Sequence, residues 1–185
     1  MREHVCPWWL AYTFDHRLRT WVHNPKKLFG RYVYPGMTVV DIGCGLGFNA
    51  LGLAGMVGRT GRVIALDIQQ KMLDGVMRRA KKQGLESRIQ PHLADGEVFG
   101  LNVEAQFILA FYMVHEVPDG PGFMGQVRDS LGKEGRFMMI EPPFHVTAKA
   151  FEKSIRIAEE SGLILDERPE VRFGRAAVFR KIPNG

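Results

Sequence analysis

Cysteine is nearly absent: Cys6 and Cys44 are the two in 185 residues, too few for a disulfide framework. That scarcity fits a reducing compartment, and a cytoplasmic protein is expected. Long apolar runs are missing as well. The longest, "FILAFYMV" from Phe107 to Val114, falls far short of the roughly 20 residues a membrane-spanning helix needs. The opening "MREHVCPWWLAYTFDH" breaks its aromatics with His4, Asp15 and His16 and lacks the shape of a signal peptide. Although the net charge is +5, no cluster of about five or six Lys/Arg marks a nucleic-acid tail, and nucleic acid is not the expected partner. His4, Cys6, His16 and His23 show no usual zinc spacing, so no metal is expected. There is also no repeat, low-complexity tract or linker, which leaves one domain over residues 1–185. Hydrophobic residues at 45% suffice for a proper core.

What is present is alternation. "MTVVDI" (37–42), "RVIALDI" (62–68), "RIQPHLAD" (88–95), "AQFILAFYMV" (105–114) and "RFMMIEPP" (136–143) are β-rich runs. Helix-like stretches lie between them, notably 48–57, 69–84 and 123–131, where Phe123, Val127 and Leu131 keep helical register. Short links between strand and helix imply a parallel sheet covered on both faces. After a helix-like stretch at 145–162, "LILDERPEV" and "GRAAVFRK" read as strands separated by little more than "RFG". No crossover fits in so short a link, so these two strands are antiparallel.

The most pointed motif is "VVDIGCGLGFNA", residues 39–50, with Asp41 ahead of Gly43, Gly45 and Gly47. "GLGFNA" satisfies the loose GxGxxA pattern of dinucleotide folds. A pyrophosphate would gain from a helix N-terminus here but lose by approaching Asp41. A ligand carrying its own ammonium group reverses that sign. The charge therefore favours a cation at a turn whose backbone is bare.

Asp41-x-Gly43-x-Gly45-x-Gly47 resembles motif I of the class I S-adenosylmethionine-dependent methyltransferases, in particular their small, single-domain members of type 11/25. The resemblance extends from Gly30 to Lys181. It implies an α/β fold: a doubly wound, Rossmann-like, three-layer α/β/α arrangement of a mostly parallel seven-stranded sheet whose last strand is antiparallel. It also implies S-adenosyl-L-methionine as cofactor, with Asp41, Gly43, Cys44 and Gly45 at the turn and Asp67 on the ribose hydroxyls. Ile68 matches the position that covers the adenine, Asp95 and Gly96 lie near its amino group, and Phe111 closes the fourth strand. Cys44 reads as a small buried filler rather than a nucleophile.

Methyl transfer from a sulfonium needs alignment and exclusion of water, and a base only where the nucleophile arrives protonated. His115 and Glu141, at the ends of the fourth and fifth strands, are the catalytic candidates, each also readable as an ordinary strand-end residue. "EPPF" (141–144) resembles an NPPY-type signature but follows the fifth strand rather than the fourth, and that assignment is rejected. Residues 1–30 hold Trp8, Trp9, Tyr12, Phe14 and Trp21, a candidate lid over a core of residues 31–185. A small-molecule methyl acceptor is the leading expectation. A protein or RNA methyltransferase, with Arg17, Arg19, Lys26 and Lys27 at the pocket mouth, and a non-catalytic cofactor-binding protein are the alternatives.

Overall fold

The computed structural model describes residues 23–182. The expectations that rest on the N-terminal tryptophans, Cys6, His4, His16, Arg17 and Arg19 lie outside the described residues. Among the described residues seven strands and five helices follow in chain order: α1 (Pro25–Phe29), β1 (Thr38–Ile42), α2 (Phe48–Val57), β2 (Arg62–Asp67), α3 (Gln70–Lys82), β3 (Ile89–Leu93), β4 (Ala105–Phe111), α4 (Gly120–Ser130), β5 (Leu131–Glu141), α5 (Ala148–Glu160), β6 (Leu163–Glu167) and β7 (Arg175–Lys181). The strand order is β3-β2-β1-β4-β5-β7-β6. Only β7 runs against its neighbours, so the alternation and the antiparallel final pair stand as expected.

The described residues fall into two compact units that divide between Ala94 and Asp95. In the first, β1 and β2 are buried on both faces because parallel strands are roofed by helices. Met72, Leu73, Val76 and Ala80 give α3 one apolar stripe, while Lys71, Arg78, Lys81 and Lys82 stay exposed. β3 carries Pro91 opposite Ala65, a position tolerated because β3 is an edge strand. In the second unit the core is aromatic: Phe137 stacks on Phe179 at 5.7 Å, and Phe123 meets both Phe99 and Phe137 edge-on.

The structure differs from the sequence reading chiefly at β4, β5 and β6. β4 stops at Phe111 rather than Val114, because Tyr112 turns into the left-handed region with φ +60. β5 begins at Leu131, and its register jumps from Ala105↔Leu131 to Phe107↔Arg136, so "GKEG" is extruded between two paired segments instead of ending a helix. β6 ends at Glu167, and residues 168–174 form a longer link closed by a Val171–Gly174 bridge. Among the described residues, no helix is long and apolar enough to cross a membrane.

Candidate active site

In the first unit, the end of β1 and the end of β2 are joined through one carboxylate. Asp67 Oδ2 accepts the Gly45 N–H at 2.9 Å and Oδ1 accepts the Gln69 N–H at 2.9 Å. Each carboxylate oxygen offers two lone pairs, so this anchoring leaves acceptor capacity for a further donor. Asp67 is only 6% exposed, and burial lifts its carboxyl pKa above the usual 3.8 despite the amides of Gln69, Gly45 and Ile68, which act to lower it. The chain holds a costly buried charge here, at a turn of bare backbone.

The glycines of that turn divide their work. Gly43, Gly45 and Gly47 all have positive φ (65, 52 and 81°). A Cβ on Gly47 would stand 2.9 Å from Val76 Cγ2, so its bareness lets α2 and α3 pack. A Cβ on Gly45 would meet nothing within 4 Å. The space beside Gly45 is open to an approaching ligand, next to an acceptor-rich carboxylate. That is the fit a nucleoside diol with a nearby cationic end requires.

Asp41 is 1% exposed at the end of β1 and paired in register with Ala65. Cys44 is 8% exposed, and its thiol is pushed well above its usual range by burial, then by the charges of Asp41 and Asp67. A thiol that resists ionisation is no nucleophile. Ile68 follows Asp67 directly and keeps 44% of its surface exposed.

In the second unit, Asp95 and Val98 exchange backbone hydrogen bonds at 3.1 Å, which holds the loop of Asp95 and Gly96 beyond β3 rather than within it. Phe111 is buried, its ring 4.4 Å from that of Tyr112. The register Phe111↔Ile140 sets the ends of β4 and β5 side by side. His115, on a single helical turn after β4, thereby meets Glu141: Nδ1 lies 2.6 Å from Oε2. Glu141 Oε1 accepts the Val114 N–H at 2.9 Å. An ionised carboxylate only accepts, so Nδ1 carries the proton and Nε2 presents the lone pair. The Glu141 hydrogen bond raises the His115 pKa above 6.5; burial opposes it, and the charges of Glu141 and Glu116 add to it.

Glu141, expected to face an acceptor, is 1% exposed and has both oxygens engaged, so it reaches outward only through His115. Sequence reasoning passed over three neighbours. His145 lies parallel to His115, with centroids 6.3 Å apart. Tyr112 and Phe173 are the two non-glycine residues with positive φ among the described residues, and the Tyr112 hydroxyl donates to the Phe173 carbonyl. Such conformations cost on the order of 1–3 kcal/mol each and gather at functional sites. No spacing rule signals them.

The family model described as "Methyltransferase domain" matches residues 34–166. A demethylmenaquinone methyltransferase of Lactobacillus johnsonii is 31% identical over 120 residues, covering 63% of this chain and 48% of that protein. Aklanonic acid methyltransferase DauC of Streptomyces sp. is 31% identical over 110 residues, 59% of this chain and 50% of that one. The chain therefore spans about half the length of these relatives. In fold, it superposes on a SAM-dependent methyltransferase from Aquifex aeolicus with TM-score 0.86 and 22% identity, over 96% of this chain and all of that one. A SAM-dependent O-methyltransferase from Thermotoga maritima follows at TM-score 0.71 and 18% identity, over 88% of this chain and 66% of the other. With the family model matching well over half of its residues, this chain belongs to the methyltransferase-domain family.

Proposed function

We propose that the protein transfers a methyl group from S-adenosyl-L-methionine to a small-molecule acceptor that arrives protonated, with His115 as general base and Glu141 as the residue that positions it. The observation that carries this reading is the Asp67 carboxylate bonded to the Gly45 amide beside open space. When bound, the cofactor supplies an electrophilic methyl carbon and a neutral thioether leaving group. Asp67 would hold the ribose hydroxyls, Ile68 the adenine face, and the Gly43–Gly45 backbone and Asp41 the amino acid end. Cys44, Asp95, Gly96 and Phe111 complete the proposed cofactor set.

The acceptor chemistry belongs to the second unit. His115 Nε2 takes the acceptor's proton, and Glu141 keeps the imidazole in the tautomer that can do so. The relatives' names, a demethylmenaquinone and an aklanonic acid methyltransferase, support a small-molecule acceptor. Charge supports it too. Residues 95–182 hold 11 Lys/Arg against 14 Asp/Glu, so the unit carrying the base is not the basic one, contrary to what a nucleic-acid acceptor would need. A cytoplasmic site of action goes with this reading.

Calorimetry with S-adenosylhomocysteine and with NADH tests the proposal. Binding of the first and not of the second is expected. Tight capture of NADH with no response to S-adenosylhomocysteine would reject it.

A further inference from the structure

Two large aromatic rings stand exposed on the loops after β5 and before β7, in the unit that holds the His115–Glu141 pair. Phe144 keeps 79% and Phe173 48% of its surface open, and their rings lie 6.3 Å apart with a 34° tilt. Phe173 sits at φ +56 with its carbonyl accepting the hydroxyl of Tyr112, itself at φ +60. The two strained residues are thus tied to one another, and a strained backbone persists where its surroundings impose it. Phe144 directly precedes His145, whose ring is parallel to that of His115 within 2°. The Arg172 guanidinium lies 5.1 Å over the Phe173 ring.

We infer that Phe144 and Phe173 form the docking face for the acceptor, and that the acceptor is a planar aromatic molecule carrying a hydroxyl group. This rests on the methyltransferase reading above and adds the substrate class to it. A flat ring gains tilted or offset contacts with both phenylalanines, which an aliphatic body gains only as bulk apolar area. The polar neighbours narrow the choice further. An aryl hydroxyl ionises near pH 10, as tyrosine does, whereas an unactivated hydroxyl is a far weaker acid, close to water. An imidazole is a competent base for the first and a poor one for the second. The Arg172 charge favours the anionic, electron-rich ring that this proton transfer creates. The acceptor O–H bond breaks to give its proton to His115 Nε2, while the oxygen electron pair forms the new bond to the methyl carbon as that carbon leaves sulfur.

Equilibrium dialysis of the full chain with 2,3-dihydroxynaphthalene tests the docking face apart from turnover. Phe144→Ala should weaken binding about three- to tenfold and Phe144→Trp should restore it. Decahydronaphthalene-2,3-diol should bind more weakly and not respond to Phe144→Ala. A His115→Ala protein should still bind the probe in a Phe144-dependent way yet fail to methylate it. If the wild type binds the probe through Phe144 but never methylates it, the docking face stands and the methyltransferase reading fails. Unchanged affinity in both Phe144→Ala and Phe173→Ala overturns the docking face. So does a shift of tryptophan emission in ligand-free Phe144→Ala: all three tryptophans lie at positions 8, 9 and 21, so the shift would name the chain's own N-terminal segment as occupant. Loss of a dimer in light scattering on the same substitution would name a second copy and also overturn it.

Discussion

Gly45→Ala and Gly47→Ala are the same chemical change two residues apart, and the structure separates their consequences. Both glycines occupy the left-handed region, at φ +52 and +81, where alanine costs about 1–2 kcal/mol. At Gly45 the added methyl enters open space, so the cost to the fold ends there. At Gly47 it meets Val76 Cγ2 at 2.9 Å and Cγ1 at 3.0 Å, which adds an overpacking penalty of about 1–3 kcal/mol. Urea unfolding without ligand should therefore find Gly47→Ala the more destabilised of the two. Val76→Ala should couple favourably with it in a double-mutant cycle, because removing the valine methyls relieves the clash. Ligand binding should rank the pair the other way. The Gly45 methyl occupies the space proposed for the cofactor, and about 1–3 kcal/mol of crowding there corresponds to a roughly 5- to 150-fold rise in the Kd of S-adenosylhomocysteine. If Gly45→Ala binds within twofold of wild type, the open space belongs to something else and the assignment of the turn is wrong.

Asp67→Asn turns an amide NH₂ toward one of two backbone N–H groups, and calorimetry should register about 1.5–3 kcal/mol of lost cofactor affinity. Its pH signature has a definite sign. Asp67 titrates above 3.8 in the folded protein, so from neutral pH down to about that value the wild type should gain stability relative to Asp67→Asn. His115 must be neutral to accept a proton, and its pKa is raised. Thus kcat/KM should climb with pH through an inflection above 6.5. The same shift stabilises the fold fully below 6.5 and loses that contribution as pH rises through the inflection. Glu141→Gln presents a donor to Nδ1 and reverses the tautomer; a rate loss of about 100- to 10,000-fold at preserved cofactor affinity is expected, and normal turnover would end the positioning role. Glu141→Ala should also cost stability, about 1–3 kcal/mol in urea, by leaving the buried Val114 N–H without its acceptor.

Much of this arrangement was legible in the chain because it obeys local periodicities. The helix read over 48–57 is α2 residue for residue, since Gly47 and Gly58 bound it as conformational stops. The parallel sheet followed from strand and helix alternating at short intervals. Legibility failed where the determinant is not local. Val114 continues an apolar run and reads as strand, but the turn at Tyr112 is fixed by a hydroxyl reaching a carbonyl 61 residues away. The His115–Glu141 contact spans 26 residues and matches no spacing motif, yet it follows once the Phe111↔Ile140 register is known.

The two strand-end acids resolve what the opening motif left open. Asp67 and Glu141 are both almost fully buried, and each is held by a backbone amide from the neighbouring strand's loop: Gly45 for one, Val114 for the other. A backbone donor fixes a carboxylate's orientation without competing for its charge as a lysine or arginine would. What the second oxygen does then decides the role. In Asp67 it takes the Gln69 amide, burial lifts the carboxyl pKa, and the lone pairs left over suit an incoming hydroxyl pair. In Glu141 it is committed to His115, and the charge acts on the imidazole instead of on a ligand. In the proposed reaction one device, a buried strand-end carboxylate clamped by an amide, serves binding in the first unit and proton transfer in the second. Swapping the partners predicts the effect of each substitution: removing Asp67 should change Kd before rate, and removing Glu141 should change rate before Kd.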